Sequence, residues 1–268
     1  MSAMVTILSP TVGGASLMPL RRVVMAYAAE VKCEALRMVR TPGLAIPFLL
    51  LPVPMYLFFG VLLPAEAIAN NPGLANYLLS SWCVFTAMGP SMFGAGYTLA
   101  SEREAGLFRL KRALPAPAGA WLIAKTVVAM VFAAFAVTAV VIAASVVGRA
   151  SLSPSQLLTM IAVMTLGAIP FCALGLFIGA RVSGASAPAI INVLFLPMLW
   201  LSGLFFPLPT FLERLVIIWP AFHLNQVAIG AAGIEGFSFV SPIVSAAVLL
   251  GITVLCGGLA IRRLARHG

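Results

Sequence analysis

The densest group of charged residues in this sequence lies in the stretch ASEREAGLFRLKRALP, positions 100–115. Only 9% of the 268 residues are charged, yet six charged residues fall within eleven positions here: Glu102, Arg103, Glu104, Arg109, Lys111 and Arg112. Charges of both signs on one short segment can form specific ion pairs with a partner protein. The pattern therefore predicts a docking element rather than a catalytic centre.

Local signals predict that this segment is a helix over residues 102–114. Ser101 and Glu104 have the spacing of a capping box. The acidic residues come first and the basic residues last, which suits the helix dipole, and Pro115 ends the helix. The alternative is a loop whose basic residues only set membrane topology, but that alternative leaves Glu102 and Glu104 unexplained.

Motifs for catalysis or metal binding are missing from the sequence. The nearest match to a phosphate-binding loop, residues 119–126, has Ala124 where the second glycine is needed. Trp200 replaces the first glycine of a rhomboid-type G-x-S-G, and the chain has no aspartate. The cysteines and histidines lack metal-site spacing. We expect no enzymatic activity, metal or cofactor in this chain itself.

The composition predicts an all-α integral membrane protein. Hydrophobic residues make up 62% of the chain and the mean hydropathy is +1.11, whereas soluble domains are about half apolar and about a quarter charged. A helix needs about 20 apolar residues to cross a bilayer. Six stretches meet this length, at about 43–63, 77–100, 122–147, 156–180, 187–206 and 239–261.

The basic residues predict the orientation of these spans. With a cytoplasmic N-terminus, 14 of the 16 basic residues lie inside and only Arg149 and Arg214 lie outside. Both termini are then cytoplasmic, and the net charge of +9 reflects topology rather than nucleic-acid binding. The spans lack a central ionisable residue, because Lys125 is expected to extend to the cytoplasmic surface. This argues against an ion-driven transporter.

Other segments surround the spans. Residues 1–19 are interpreted as a mobile tail, and residues 20–42 as an amphipathic helix at the cytoplasmic interface or, alternatively, packed on the protein's own loops. Its apolar stripe is Val24, Ala28, Val31, Ala35 and Met38, with Lys32, Glu34, Arg37 and Arg40 off the stripe.

Three local patterns lie within or between the spans. Prolines at 47, 52 and 54 predict a kinked first span. Gly175 and Gly179 have the G-x-x-x-G spacing of a helix contact, within or between subunits. Residues 207–230 are interpreted as an outer re-entrant hairpin or as an interfacial helix.

Together with this topology, Ser101–Pro115 resembles the E-R-E-x-G segment of type-2 ABC exporter permeases, and the resemblance covers about residues 20–262. It implies a cytoplasmic coupling helix, 101–115, that docks on a separate ATP-binding subunit. Glu102, Arg103, Glu104 and Gly106 match the motif, and Phe108 and Arg109 lie in its less regular part. ATP and Mg²⁺ would be bound by the partner.

The resemblance also implies two permeases, as a homodimer or with a related chain, and two ATPases in a bacterial plasma (inner) membrane. The cargo would be a drug-like molecule or lipid, or alternatively a polysaccharide or lipid-linked glycan. It would pass between the first and fifth spans of the two permeases, or enter that space from the leaflet. Path candidates are Phe48, Tyr56, Phe58, Phe59 and Asn192, although aromatic residues also face lipid or pack. A stand-alone secondary transporter or channel is the alternative from another class.

Overall fold

The structure is a computed structural model that describes residues 19–107, 110, 119–147, 150–205, 213–234 and 236–267. These residues are mostly helical and include no strand. The helices are α1 Leu20–Val39, α2 Pro42–Leu50, α3 Pro52–Met55, α4 Ala65–Asn70, α5 Gly73–Glu104, α6 Ala120–Val147, α7 Pro154–Gly179, α8 Ala187–Leu201, α9 Pro220–Ala232 and α10 Pro242–His267. A π-helix, Tyr56–Leu62, continues α3, and a 3-10 helix, Glu213–Ile218, precedes α9.

Helices occupy each of the six apolar segments. In the part of the chain that the structure describes, three stretches are long and apolar enough to cross a bilayer: Ala120–Val147, Pro154–Gly179 and Pro242–Arg266. Shorter apolar helices lie at Pro52–Leu62 and Ala187–Leu201. Described residues that are mostly helical and include such segments indicate an integral membrane protein.

The first apolar segment is broken, as its prolines predict. Helix α2 ends at Leu50, and α3 begins at Pro52. Because Pro52 and Pro54 have no backbone N–H, the regular ladder of helix hydrogen bonds is interrupted here. The chain then continues as the π-helix from Tyr56.

Helix α5 is the central element of the fold. It packs against α6, α7, α8 and α9, and most of its residues are buried. Its 32 residues span about 48 Å at 1.5 Å per residue.

The capping box predicted at Ser101 is wrong. Ser101 and Glu104 lie in the last turn of α5, where the Ala105 N–H donates to the Ser101 carbonyl at 3.0 Å. The helix ends at Gly106, whose φ of +68° is accessible mainly to glycine. Residues 108, 109 and 111–115 of the predicted coupling helix lie outside the described residues, as do residues 1–18 of the predicted tail. A capping box does occur at Ser153 and Gln156, at the start of α7.

The G-x-x-x-G pattern marks a contact between α7 and α5 of the same chain. A Cβ on Gly175 would collide with the Met92 carbonyl oxygen, and one on Gly179 with the Gly96 carbonyl oxygen. The two backbones therefore approach closely because both glycines lack side chains. The predicted helix contact is confirmed within the chain.

Helix α1 buries the C-terminal half of the predicted stripe, where Met38 is buried and Val31 and Ala35 pack against it. Its buried residues are Glu34 and Met38, and it packs against α6. Val24 and Ala28 of the predicted stripe are exposed. Placing Glu34 on a polar outer face was wrong, because the side chain has buried partners described below.

The segment before the last apolar helix also enters the core. Residues 220–226 of α9 are buried, and α9 packs against α5, α7 and α10. The Asn225 side chain accepts a hydrogen bond from Ser80 at 2.6 Å and donates to Ser81 at 3.4 Å. Residues 207–212 of the predicted hairpin lie outside the described residues.

Candidate functional site

The three charged residues at the end of α5 point in different directions. Successive residues of a helix are turned by about 100°, so Glu102, Arg103 and Glu104 meet different surroundings. Glu102 is 2% exposed, whereas Glu104 is on the surface. The segment therefore presents Glu104 to solvent and directs Glu102 into the protein.

Arg103 binds the end of α7. Its guanidinium donates to the Gly179 carbonyl at 2.8 Å and to the Val182 carbonyl at 3.2 Å. These carbonyls lie where the helix dipole is negative, so the cation is well placed. Burial and the nearby Arg263 guanidinium lower the pKa of Arg103 from its ordinary value.

Glu102 takes part in a buried ion network. Its carboxylate pairs with Arg37 of α1 and, at 3.4 Å, with the Lys125 ammonium of α6. The Lys125 Nζ also lies 2.6 Å from Glu34 and donates to Thr98 at 2.8 Å. The Lys125 side chain is 0% exposed, so the expectation that it extends to the cytoplasmic surface is wrong.

The surface around Glu104 includes the loop between α7 and α8. A Cβ on Gly184 would lie 2.7 Å from Glu104 Oε2 and 3.0 Å from Ser101 Oγ. This loop therefore packs against the last turn of α5 next to the exposed carboxylate. Gly106 follows with open space around it, so its conformation, not packing, requires glycine. Phe108 and Arg109 lie outside the described residues.

A cavity of about 440 Å³ lies between α2, α5 and α8. Four phenylalanines, one tyrosine, two prolines, a glycine, a threonine and an asparagine line it. The lining residues are Thr41, Gly43, Pro47, Phe48, Phe85, Phe93, Tyr97, Pro188, Asn192 and Phe195. Its volume is in the range of small-molecule sites.

The aromatic rings of this cavity pack on one another. The ring centroids of Phe48 and Phe93 are 5.2 Å apart, and those of Phe93 and Phe195 are 5.3 Å apart. Among the described residues, the lining includes no charged side chain, and Thr41, Tyr97 and Asn192 supply its polar groups. Such a surface suits an apolar or amphiphilic molecule that makes few hydrogen bonds.

The structure brings two of the five path candidates together. Phe48 and Asn192 both line the cavity. Tyr56 is instead 1% exposed within the core. Phe58 and Phe59 are 49% and 43% exposed and contact each other, and Phe59 also stacks on Trp82.

Sequence reasoning missed Glu34 and Thr98 as partners of Lys125. A lysine at the start of an apolar span needs an acidic partner when it is buried, and only seven acidic residues were available. The small number of acidic residues limits the candidates for the partner of Lys125, but the sequence does not show which of them it is.

The described residues contain no group of three or more His, Cys, Asp or Glu side chains that could hold a metal ion. The buried histidine, His223, has polar contacts at both ring nitrogens, with Ser245 Oγ at 3.2 Å and the Ile217 carbonyl at 2.7 Å. These contacts give the imidazole a structural role.

The long apolar helices define the class as a helical integral membrane protein. The family model of the ABC-2 type transporter matches residues 26–237, and the chain therefore belongs to that family. It is 26% identical over 198 residues to "Putative transport permease YvfS" of Bacillus subtilis (strain 168), covering 73% of this chain and 80% of that protein. Permeases of this family generally work with an ATPase partner.

Proposed function

We propose that this chain is the transmembrane subunit of an ATP-driven exporter of a hydrophobic or amphiphilic compound. The cargo would leave the cytoplasm or the inner leaflet. The aromatic cavity between α2, α5 and α8 is the observation that carries the proposal. A drug-like molecule or a lipid suits it better than a polysaccharide, because many sugar hydroxyls would find few hydrogen-bond partners there.

In this proposal, a separate ATPase subunit binds ATP and Mg²⁺ and docks on residues 101–115. Glu104 is exposed at the end of α5, whereas Glu102 is buried. Among the described acidic residues of that segment, Glu104 is therefore the one that can contact a partner. The same helix carries Phe85, Phe93 and Tyr97 of the cavity. Because Tyr97 is seven residues from Glu104, about 10 Å along one rigid helix, a displacement at the docking end reaches the cavity directly.

The proposed assembly has two copies of this chain and two ATPases in a bacterial inner membrane. The distribution of basic residues supports six spans with both termini in the cytoplasm. The exposed surface of helix α10 supports a contact with lipid or with a second subunit, because only 17% of its most apolar part is buried within the chain. Residues 207–230 would close the outer side, and the Asn225 contacts hold part of this segment against α5.

Dye uptake into inside-out vesicles tests this proposal. Vesicles that contain the chain and its ATPase should accumulate the amphiphile rhodamine 6G or a fluorescent phospholipid when ATP is added. A non-hydrolysable ATP analogue should abolish uptake, and purified chain alone should not hydrolyse ATP. Uptake driven by an ion gradient without the ATPase would favour a secondary transporter instead.

A further inference from the structure

Four charged side chains meet where α1, α5 and α6 come together. Glu34, Glu102 and Lys125 are buried, and Arg37 is half-buried at the edge of the group. Lys125 pairs with both glutamates, and Arg37 pairs with Glu102. Two positive and two negative charges make the group neutral, so no buried charge is left without an opposite one.

The network joins parts of the chain that are far apart in sequence. Helix α1 supplies Glu34 and Arg37, α5 supplies Glu102, and α6 supplies Lys125. Lys125 is the hub, since its ammonium contacts both glutamates and the Thr98 hydroxyl. Well-packed apolar side chains often stabilise a fold as well as a buried ion network does. A role besides stability is therefore worth testing.

The position of the network suggests that role. Glu102 is two residues before Glu104, which faces solvent, and four residues before Gly106, where α5 has ended. The first glutamate of the E-R-E motif thus binds α1 and α6, whereas the second is available to a partner. Any force applied beyond Glu104 acts on a helix end that is already attached to α1.

We propose that Lys125 is a positioning residue that fastens α1 to the last turn of α5, so that both respond to the ATPase as one unit. The response to the ATPase rests on the proposed function, whereas the fastening concerns this chain alone.

Spin labels on the purified chain in nanodiscs test the fastening. Cys33 on α1 is exposed, and the other three cysteines are buried, so a second label at Ala105→Cys gives one pair across the network. We expect a narrow distance distribution that broadens in Lys125→Met. Lys32→Met is the matched control, because Lys32 is an exposed lysine on α1, and it should leave the distribution narrow. An unchanged distribution in Lys125→Met would overturn the proposal.

A double variant separates transmission from folding. Lys125→Met with Glu34→Gln removes one charge of each sign, so neither is left unpaired. It should recover most of the melting temperature lost in Lys125→Met, while ATP hydrolysis stimulated by the permease stays at least fivefold below that of the unaltered complex. Recovery of both properties would show that the network serves folding alone and would overturn the transmission role.

Failure of the proposed function would look different. If no ATPase binds the unaltered chain, the exporter assignment and the transmission role both fall. The label distances in the chain alone still decide whether Lys125 fastens α1 to α5.

Discussion

The backbone of Gly179 in α7 packs directly on the backbone of Gly96 in α5. Gly175 makes the equivalent contact with Met92, one turn away. This crossing holds α7 against the helix that carries three aromatic residues of the cavity and the exposed Glu104. The crossing therefore fixes the central helix on which the proposed mechanism depends.

Gly179→Ala should destabilise the protein, because the new Cβ would collide with the Gly96 carbonyl oxygen and force the helices apart. Overpacking of this kind costs about 1–3 kcal/mol. The melting temperature in detergent should fall. Gly251→Ala on α10 is the matched control, since a Cβ there has no atom within 4 Å and alanine favours a helix. Equal melting temperatures for the two variants would contradict the close crossing.

Asn225→Leu should loosen α9. The substitution removes both hydrogen bonds to α5, from Ser80 and to Ser81, and interhelical bonds of this kind contribute about 1 kcal/mol. Amide hydrogen exchange in residues 220–232 should then become about fivefold faster, measured by mass spectrometry. Asn70→Leu, at an exposed position, should leave exchange in α9 unchanged. Uniform acceleration across the whole chain would instead indicate global destabilisation.

Phe48→Ala should weaken cargo recognition. The ring lines the cavity and packs on Phe93, so its loss removes apolar contact area from the site. We expect the KM for rhodamine 6G transport to rise by about tenfold, which corresponds to about 1.4 kcal/mol of binding free energy. Phe135→Ala, on the exposed face of α6, is the control and should transport normally. An unchanged KM in Phe48→Ala would exclude this cavity as the site for that dye.

Glu102→Gln and Glu104→Gln should affect different properties. The first should lower stability, and the second should weaken partner binding. Glu102→Gln leaves Arg37 and Lys125 short of an anionic partner and should cost about 3 kcal/mol of folding free energy. Glu104→Gln changes an exposed group and should leave the melting temperature within about 1 °C of the unaltered protein while weakening ATPase binding. A pull-down with the purified ATPase, paired with thermal unfolding, separates the two. Normal binding by Glu104→Gln would remove Glu104 from the docking surface.

Patterns within one segment predicted much of the fold. The apolar runs located the helices, the prolines located the break before Pro52, and Gly175 and Gly179 located a helix contact. Each of these signals depends on residues close together in the chain. The physical requirement, such as a missing N–H or a missing Cβ, can therefore be recognised without knowing the rest of the structure.

Predictions failed where the outcome depends on distant residues. Ser101 and Glu104 have the spacing of a capping box, yet α5 continues through both because no helix-breaking conformation occurs before Gly106. Lys125 was expected at the surface, but Glu34 lies 91 residues away in sequence and makes burial possible. Packing between helices decides the case of Lys125, and a single sequence does not show which helices meet.

The cavity was predicted only in part. Phe48 and Asn192 were chosen because they lie in the first and fifth apolar segments, and the structure places both at one site. Phe85, Phe93 and Tyr97 were missed because all three lie on α5, where burial gives nearly every face similar apolar residues. The orientation of a fully buried helix leaves little periodic signal in its sequence.

The most direct measurement compares dye transport in proteoliposomes with and without the ATPase subunit. With the ATPase, ATP should drive rhodamine 6G or a fluorescent phospholipid across the membrane, and Phe48→Ala should weaken transport of the dye. Without it, neither ATP nor an ion gradient should do so. Transport by the chain alone, driven by an ion gradient and unaffected by ATP, would contradict the assignment of this protein as a permease energised by a partner.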